Sequence, residues 1–206
     1  MTRGRLIYVM GPSGAGKNSV IASARDIAGT LEKLNKNNYL YFSPRYVTRP
    51  AADTDGASDE FAISAGAFAH YKRIGTFALD REAHGFCYGV STAIDTLLHA
   101  GKCMVVNGSR DYLATALGKY PQMTAVLITV APEVAHARLL ARGREDINAV
   151  IARVQRMPDI NIARQQLHVI DNSGPLEHAT GALLHVLLGQ DAAAVHVNNV
   201  IATATV

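Results

Sequence analysis

Short apolar runs alternate along this chain with longer segments in which apolar residues recur at helical spacing. The runs that predict buried strands are Arg5–Met10, Tyr39–Arg49 with an interruption near Pro44, Cys103–Gly108, Met123–Val130 and Leu167–Asn172. The segments that predict helices are Asn18–Ala28, Ser91–Gly101, Asp111–Lys119, Pro132–Gly143, Glu145–Met157 and Pro175–Leu188. This alternation is typical of an α/β fold in which helices cover both faces of a parallel sheet.

Two segments depart from the alternation. Between about residues 50 and 90 the pattern mixes short helices with short strands, which favours an inserted substrate-binding piece. Residues 191–206 carry few charges and no clear period, so both an irregular end and an added strand stay open. We therefore expect a single domain over residues 1–190, followed by a tail of uncertain order.

Composition narrows the class of partner only slightly. The net charge of +3 and the pI near 8.9 are mild and form no basic stripe, which favours small anionic ligands and argues against nucleic acid. Two cysteines without metal-type spacing indicate reduced thiols in the cytoplasm. The first apolar run is too short for a signal peptide, and no segment approaches the roughly 18 apolar residues that span a bilayer. We expect a cytoplasmic protein with no membrane or nucleic-acid partner.

The segment VMGPSGAGKNSV, residues Val9–Val20, contains a phosphate-binding pattern. Gly11, Gly16 and Lys17 fit G-x-x-x-x-G-K, in which glycines turn backbone N–H groups towards phosphates and the lysine reaches the β- and γ-phosphates. A glycine-rich surface turn is the alternative, and the flanking strand and helix argue against it. The residues expected to hold the ATP phosphates are Gly11, Pro12, Ser13, Gly14, Ala15, Gly16, Lys17, Asn18 and Ser19.

Asn18 stands where this pattern normally has Ser or Thr, the hydroxyl of which ligates Mg²⁺. The side-chain oxygen of Asn18 is also a hard neutral ligand, and the alternative is that Asn18 only caps the helix. Ser19 points roughly 100° further around the helix and is a poorer substitute. ATP and Mg²⁺ are therefore the expected cofactors, with Asn18 as the candidate metal ligand.

Four segments together resemble the guanylate kinase fold family. They are GPSGAGK, TRP at Thr48–Pro50, AHGFCYGV at Ala83–Val90 and ARGREDINAVIAR at Ala141–Arg153. The resemblance implies a three-layer P-loop NTPase sandwich with a parallel sheet, a small acceptor-binding insert and an arginine lid at about 141–153. It also implies that Lys17, Arg142 and Arg153 are the catalytic residues.

The chain departs from guanylate kinases where those enzymes bind the base. The second arginine of their T-R-x-P-R segment would fall at Ala52, and the carboxylate that binds guanine would fall near Leu79. The acidic residue at the end of the central strand is replaced within VVNGSR, residues Val105–Arg110. A site built to hydrogen-bond guanine does not tolerate such losses.

VVNGSR, with GPSGAGKNS, RYVTRP, HGFCYGV and ARGRE, is similar to the ribose 1,5-bisphosphate phosphokinase family over roughly residues 4–190. That resemblance implies ATP-dependent formation of 5-phosphoribosyl 1-diphosphate (PRPP) in phosphonate breakdown, with a phosphorylated sugar as partner. Cations and polar donors near predicted strand ends suit such a ligand. The expected acceptor residues are Arg45, Arg49, Tyr88, Asn107, Ser109 and Arg110. The oligomeric state is left open, with a homodimer among the alternatives.

Three other functions compete with this one. The first is a nucleoside monophosphate kinase with GMP as acceptor, against which the missing guanine contacts argue. The second is a non-catalytic binding module of guanylate kinase type, in which the phosphate loop is usually degraded. The third is a small-sugar kinase of the gluconate type, which needs a catalytic Asp that the sequence does not place well.

Overall fold

The computed structural model describes residues 4–35, 39–50, 60–83, 85–142 and 166–189, with the backbone alone at 32–35 and 142. The strands are β1 (Arg5–Met10), β2 (Leu40–Phe42), β3 (Arg45–Val47), β4 (Glu60–Ala62), β5 (Phe77–Ala83), β6 (Phe86–Ser91), β7 (Cys103–Asn107), β8 (Thr124–Thr129) and β9 (Leu167–Asp171). The helices are α1 (Lys17–Asn35), α2 (Ala65–Arg73), α3 (Ala93–His99), α4 (Leu113–Lys119), α5 (Pro132–Arg142) and α6 (Leu176–Leu188). Within these ranges, no helix has both the length and the apolar character needed to cross a membrane.

The strands form two sheets. The larger has the order β2-β7-β1-β8-β9 and the smaller the order β4-β3-β6-β5. β7 pairs in parallel with β2 and with β1, and its register sets Asn107 opposite Val9. Residues Leu6–Met10 of β1 are all buried, as expected for a strand of a parallel sheet that is covered on both faces. The predicted α/β fold with a parallel sheet is confirmed.

Contacts divide the chain into two compact units. The first holds the described residues up to Met10 and those from 39 to 125, and therefore contains β1 to β7 and α2 to α4. The second holds residues 11–35 and the described residues from 126 onwards, with α1, most of β8, α5, β9 and α6. In this second unit α1 packs against α6. The residues Leu183, Leu184 and Leu187 of α6 are buried.

The smaller sheet, in the first unit, has two different faces. One face carries an aromatic cluster with α2, in which the rings of Phe68 and Phe77 lie 4.7 Å apart and Tyr46 and Tyr71 pack around Phe77. Gly89 lies under this cluster, because a Cβ there would be 2.6 Å from the Phe77 ring. The other face carries polar and charged side chains, described below. The predicted insert at about 50–90 falls on this sheet and on α2.

One predicted element boundary is wrong, and one predicted strand is divided between the two sheets. The helix predicted to end at Ala28 continues to Asn35, because Leu31 is buried and extends the apolar stripe and Thr30 bonds back to the carbonyl of Asp26. The strand predicted over Tyr39–Arg49 is interrupted near Pro44 as predicted, but its two parts are separate strands in different sheets. The break falls at Pro44, which has no N–H to donate to a neighbouring strand.

The remaining predicted strands and helices differ from the observed ones by one or two residues at their ends. The predicted helix Glu145–Met157, the lid beyond residue 142 and the tail at 191–206 lie outside the described residues.

Candidate phosphate and acceptor sites

The phosphate loop belongs to the second unit and follows β1 directly along the chain. Gly14 and Gly16 have φ values of 80° and 72°, which glycine adopts at little cost. The N–H of Ala15 donates to the carbonyl of Pro12 at 3.3 Å, and the N–H of Val20 donates to the carbonyl of Gly16 at 3.0 Å as α1 begins. A tight turn with left-handed glycines that leads into a helix N-terminus is the geometry of an anion-binding loop.

Asn172, just after β9, holds the backbone of this loop in place with a hydrogen bond. Its Nδ2 donates to the carbonyl of Ala15 at 2.8 Å, and its backbone N–H donates to the carbonyl of Thr129 at 2.9 Å. A Cβ at Gly16 would lie 2.5 Å from the same Nδ2, so a side chain there would displace the amide. Asn172 was not among the predicted residues, although its position at the end of an apolar strand was a usable signal.

Arg138 on α5 brings a guanidinium group to the same glycine. Its Nη1 lies 3.5 Å from where a Cβ of Gly16 would be, is buried, and has no hydrogen-bond partner among the described residues. A buried cationic N–H without a partner is costly, and a phosphate oxygen would satisfy it. Sequence analysis missed this residue too. It precedes the expected lid residue Arg142 by four positions in the sequence.

The other predicted nucleotide residues lie where the loop meets α1. Lys17, Asn18 and Ser19 form the first turn of that helix and are each partly exposed. Their roles towards phosphate and Mg²⁺ stay predictions. The side chain of Arg142 and the whole of Arg153 lie outside the described residues.

The first unit contains a pocket between the polar face of the smaller sheet and the ends of β1 and β7. Its lining residues are Tyr8, Arg45, Leu79, Asp80, Arg81, Tyr88, Val90, Val106, Asn107, Gly108 and Tyr112. Three of the six predicted acceptor residues, Arg45, Tyr88 and Asn107, are therefore brought together. The β3, β5 and β6 register places Arg45, Leu79, Arg81, Tyr88 and Val90 on the same face of the sheet.

Glu60 on β4 joins two of the predicted arginines. Its carboxylate pairs with Arg45 Nη2 at 2.5 Å and with Arg49 Nη2, and its side chain is only 2% exposed. Arg45 Nη1 also donates to the carbonyl of Asn107 at 3.4 Å. Burial lowers the pKa of Arg45, Glu60 opposes that shift and Arg81 adds to it. Glu60 was not among the predicted site residues, because nothing in the segment SDEF, residues 58–61, distinguishes the acidic residue that is buried from the one beside it.

Tyr8 positions Ser109, which follows Asn107 and Gly108 at the end of β7. Its hydroxyl accepts a hydrogen bond from the N–H of Ser109 and donates one to the Ser109 carbonyl, each at 3.0 Å. Gly108 packs on the Tyr8 ring so closely that a Cβ would lie 2.0 Å from it. Burial raises the pKa of Tyr8, so the hydroxyl stays protonated and can donate. The sequence analysis treated Tyr8 only as part of a buried strand.

The other three predicted acceptor residues, Arg49, Ser109 and Arg110, are not among the residues that line the pocket. Arg49 is linked to Arg45 through Glu60, and its buried Nε has no hydrogen-bond partner in the described part of the chain. Ser109 is held by Tyr8, and its buried Oγ is likewise without a partner among the described residues. Arg110 follows at the next position, where burial lowers its pKa and Asp111 opposes the shift.

Leu79 and Arg81 on β5 complete the pocket. Leu79 is 5% exposed and lines the pocket; the guanylate kinase resemblance led us to expect the missing carboxylate near this residue. Arg81 lies over the ring of Tyr88, with its Cζ 4.6 Å from the ring centroid. Neither residue was among the predicted ligands. Arg81 does not stand out in the sequence, because the segment LDREA, residues 79–83, resembles an ordinary charged strand end.

Comparison with known proteins supports the same family. No family model matches the chain. Ribose 1,5-bisphosphate phosphokinase PhnN from Burkholderia mallei (strain SAVP1) is 43% identical over 194 residues, covering 92% of this chain and 98% of the relative. The protein of the same name from Desulfomicrobium baculatum is 41% identical, over 89% of this chain and 94% of its own length. The relative from Pseudomonas paraeruginosa, also of that name, is 40% identical over 93% of this chain.

A solved structure shows the fold. The crystal structure of guanylate kinase from Anaplasma phagocytophilum matches 90% of this chain and 85% of that one with a TM-score of 0.63, at 14% sequence identity. The expected guanylate kinase-like fold is thereby confirmed. With about two-fifths of the residues identical over nine-tenths of its length, the chain belongs to the ribose 1,5-bisphosphate phosphokinase family of kinases.

Proposed function

We propose that this protein transfers the γ-phosphate of ATP to the 1-phosphate of ribose 1,5-bisphosphate and so forms 5-phosphoribosyl 1-diphosphate. The observation that carries the proposal is the composition of the acceptor pocket. Arginine side chains line it together with the buried Leu79, near which the guanylate kinase resemblance would place the carboxylate that binds guanine. A pocket of this kind suits phosphate groups and offers little to a purine base.

The carboxylates near the pocket support this distinction. Glu60 pairs with Arg45 and Arg49, and Asp80 pairs with Lys72. Both acids are thus engaged with cations and are poor candidates for accepting hydrogen bonds from a base. The relatives named above carry the same activity in their names, and they match the chain almost from end to end.

The transfer itself requires little covalent chemistry from the protein. A 1-phosphate oxygen of the acceptor attacks the γ-phosphorus, the new P–O bond forms, and the bond to the β–γ bridging oxygen breaks. The electron pair of that bond leaves with ADP. Because the attacking oxygen is already anionic at neutral pH, no general base is needed, and the protein acts through positioning and positive charge.

The nucleotide side of this reaction falls to the phosphate loop. The backbone of residues 11–16 would hold the phosphates, Lys17 would neutralise the β- and γ-oxygens, and Arg138 would donate its buried Nη1 to a phosphate oxygen. Mg²⁺ bound with ATP supplies further charge neutralisation. Asn18 fits as its ligand in this loop, because an amide oxygen in the first turn of α1 is a hard neutral donor. Arg142 and Arg153 are proposed to add charge from the lid.

ADP release from Mg-ATP tests the function with ribose 1,5-bisphosphate and GMP as parallel acceptors. We expect turnover with the bisphosphate alone, with the product identified by its diphosphate signals in ³¹P NMR. Lys17→Met serves as the inactive control. Turnover with GMP would instead make the protein a nucleoside monophosphate kinase. Tight ATP binding with neither acceptor used would remove the proposed reaction and leave another phosphorylated acceptor to be found.

A further inference from the structure

Arg81 and Arg45 approach the same aromatic ring from the polar face of the smaller sheet. Arg81 on β5 is directly opposite Tyr88 on β6 in the antiparallel register, so the two side chains share a face. The Cζ of Arg81 lies 4.6 Å from the centroid of the Tyr88 ring, and the Cζ of Arg45 lies 5.8 Å from it. Tyr88 therefore holds two guanidinium groups at one wall of the pocket.

The charges around this ring do not balance. Arg45 and Arg49 share the single carboxylate of Glu60, while Lys72 on α2 takes Asp80. Arg81 has its contact with Tyr88 and no ion pair among the described residues. Three arginines are thus set against one glutamate on a partly buried surface, where mutual repulsion is poorly screened. An anionic ligand would relieve this repulsion.

The contact with Tyr88 leaves the hydrogen-bond donors of Arg81 available for a ligand. A cation–π contact attracts the charge of the guanidinium group to the ring and does not use up all five of its N–H donors. Those donors match two oxygens of one phosphate group. The neutral residues around them, Leu79, Asn107 and Gly108, leave room for a sugar without competing for the charge.

We propose that Arg81 is a substrate-binding residue, holding a phosphate group of the phosphorylated sugar together with Arg45. The inference deepens the proposed function and rests on it, because it takes the acceptor to be a phosphorylated sugar. Tyr88 then serves as the platform that orients Arg81. The expected role of Arg81 is to strengthen acceptor binding without affecting ATP.

Calorimetric titration of the full chain with ribose 1,5-bisphosphate, in the absence of ATP, tests this assignment. Arg81→Met keeps most of the volume and the apolar contact with Tyr88 and removes the charge and the donors. Arg73→Met is the matched control, because Arg73 is an exposed arginine of α2, outside the pocket lining. We expect Arg81→Met to weaken bisphosphate binding about 10- to 100-fold and Arg73→Met to leave it within about twofold.

Two further measurements separate binding from misfolding. ATP affinity is expected to be unchanged in both variants, which reports that the chain is folded. Arg81→Lys is expected to recover part of the loss, because it restores the charge without the planar pair of donors. Equal weakening by Arg81→Met and Arg73→Met, or none by either, would overturn the assignment.

The outcome for Arg81 is distinguishable from that for the proposed reaction. If the wild-type protein binds the bisphosphate but does not turn it over, the reaction is wrong, and the comparison of the two Met variants still decides the role of Arg81. If the wild type turns it over and Arg81→Met binds normally, only the Arg81 assignment fails. If the wild type does not bind the bisphosphate at all, both fail.

Discussion

The hydroxyl of Tyr8 both donates to the carbonyl oxygen of Ser109 and accepts from its N–H, each at 3.0 Å. A single side chain in the first strand thus satisfies both backbone groups of a residue 101 positions later. These two bonds fix the course of the chain at the end of β7, where Asn107 and Gly108 line the acceptor pocket. The link ties the shape of the pocket to a residue of the buried core.

Tyr8→Phe is expected to loosen this end of the pocket while leaving the core filled. Loss of the hydroxyl leaves a partly buried N–H and C=O without partners, which costs about 1–3 kcal/mol of unfolding free energy. The KM for the acceptor should rise roughly three- to tenfold, with the KM for ATP unchanged. Urea unfolding and steady-state kinetics measure the two effects.

Tyr120→Phe is the control for that substitution. It also removes a tyrosine hydroxyl bond in the first unit, the one that Tyr120 donates to Asp95 at 2.6 Å. Stability should fall with little change in either KM. An equal rise in acceptor KM in both variants would show that general destabilisation, and not the position of Ser109, is responsible.

Gly108→Ala is expected to disturb the same contact from the other side. The added Cβ would lie 2.0 Å from the Tyr8 ring, so the ring or the strand end must move. Overpacking of this kind costs typically about 1–3 kcal/mol of unfolding free energy.

Thermal unfolding of Gly108→Ala measures this loss, and Gly118→Ala is its control. Gly118 lies in α4, and nothing lies within 4 Å of a Cβ added there. That control should be neutral or stabilising by up to about 1 kcal/mol, as alanine favours helices. Equal stability of the two variants would contradict the packing argument.

The parts of this molecule that the sequence predicts are those encoded by neighbouring residues. The phosphate loop is such a case, since its glycines, lysine and flanking apolar strand lie within a dozen positions. The α/β alternation is another, because apolar periodicity is local. The helix end misplaced at Ala28 shows the limit even here: Gly29 and Thr30 suggest a stop, and the buried Leu31 that continues the helix matters only once α1 has a core to pack into.

The residues that the sequence does not reveal are those whose partners are far along the chain. Asn172 bonds to the carbonyl of Ala15, 157 positions away, and no local pattern connects them. Glu60 is one of several acidic residues in a polar stretch, and only strand pairing with β3 selects it as the partner of Arg45. Arg81 becomes distinctive only through its cross-strand neighbour Tyr88.

Glu60→Gln is expected to be strongly destabilising. The substitution keeps the shape but leaves the buried Arg45 and the half-buried Arg49 without a carboxylate. Breaking a buried pair in this way costs about 3–5 kcal/mol. Inorganic phosphate should restore more stability to this variant than to the wild type, because an anion can replace the lost charge. Urea unfolding with and without phosphate provides the measurement.

Asp80→Asn is the comparison for Glu60→Gln. Its partner Lys72 has a side chain that is 60% exposed, so solvent screens this pair and its loss should cost less than about 1 kcal/mol. Similar losses of stability in the two variants would mean that burial does not set the value of the Glu60 pairs.

Arg138→Met is expected to weaken ATP binding and spare the acceptor. Removal of the buried Nη1 beside Gly16 should raise the KM for ATP by roughly 10-fold, as expected for a charge-assisted bond to phosphate. Arg25→Met, in the same unit on α1, should leave that KM unchanged. Steady-state kinetics with each substrate varied separates these cases. A rise in the acceptor KM alone would place Arg138 in a different role.

Cys103 gives a prediction about alkaline stability. Burial raises the pKa of its thiol from an ordinary value of 9.0 to about 11, with nearby Arg5 opposing the shift. The folded state therefore keeps a proton that the unfolded state loses above about pH 9, so this contribution to stability is complete below pH 9 and declines as the pH rises to 11. Two pKa units correspond to about 2–3 kcal/mol of unfolding free energy.

Cys103→Ala should lose less stability than the wild type between pH 8 and 11, because it lacks this titration. Urea unfolding of the two proteins across that range measures the difference. Parallel curves for Cys103→Ala and the wild type would show that the thiol at the start of β7 ionises without a penalty from burial.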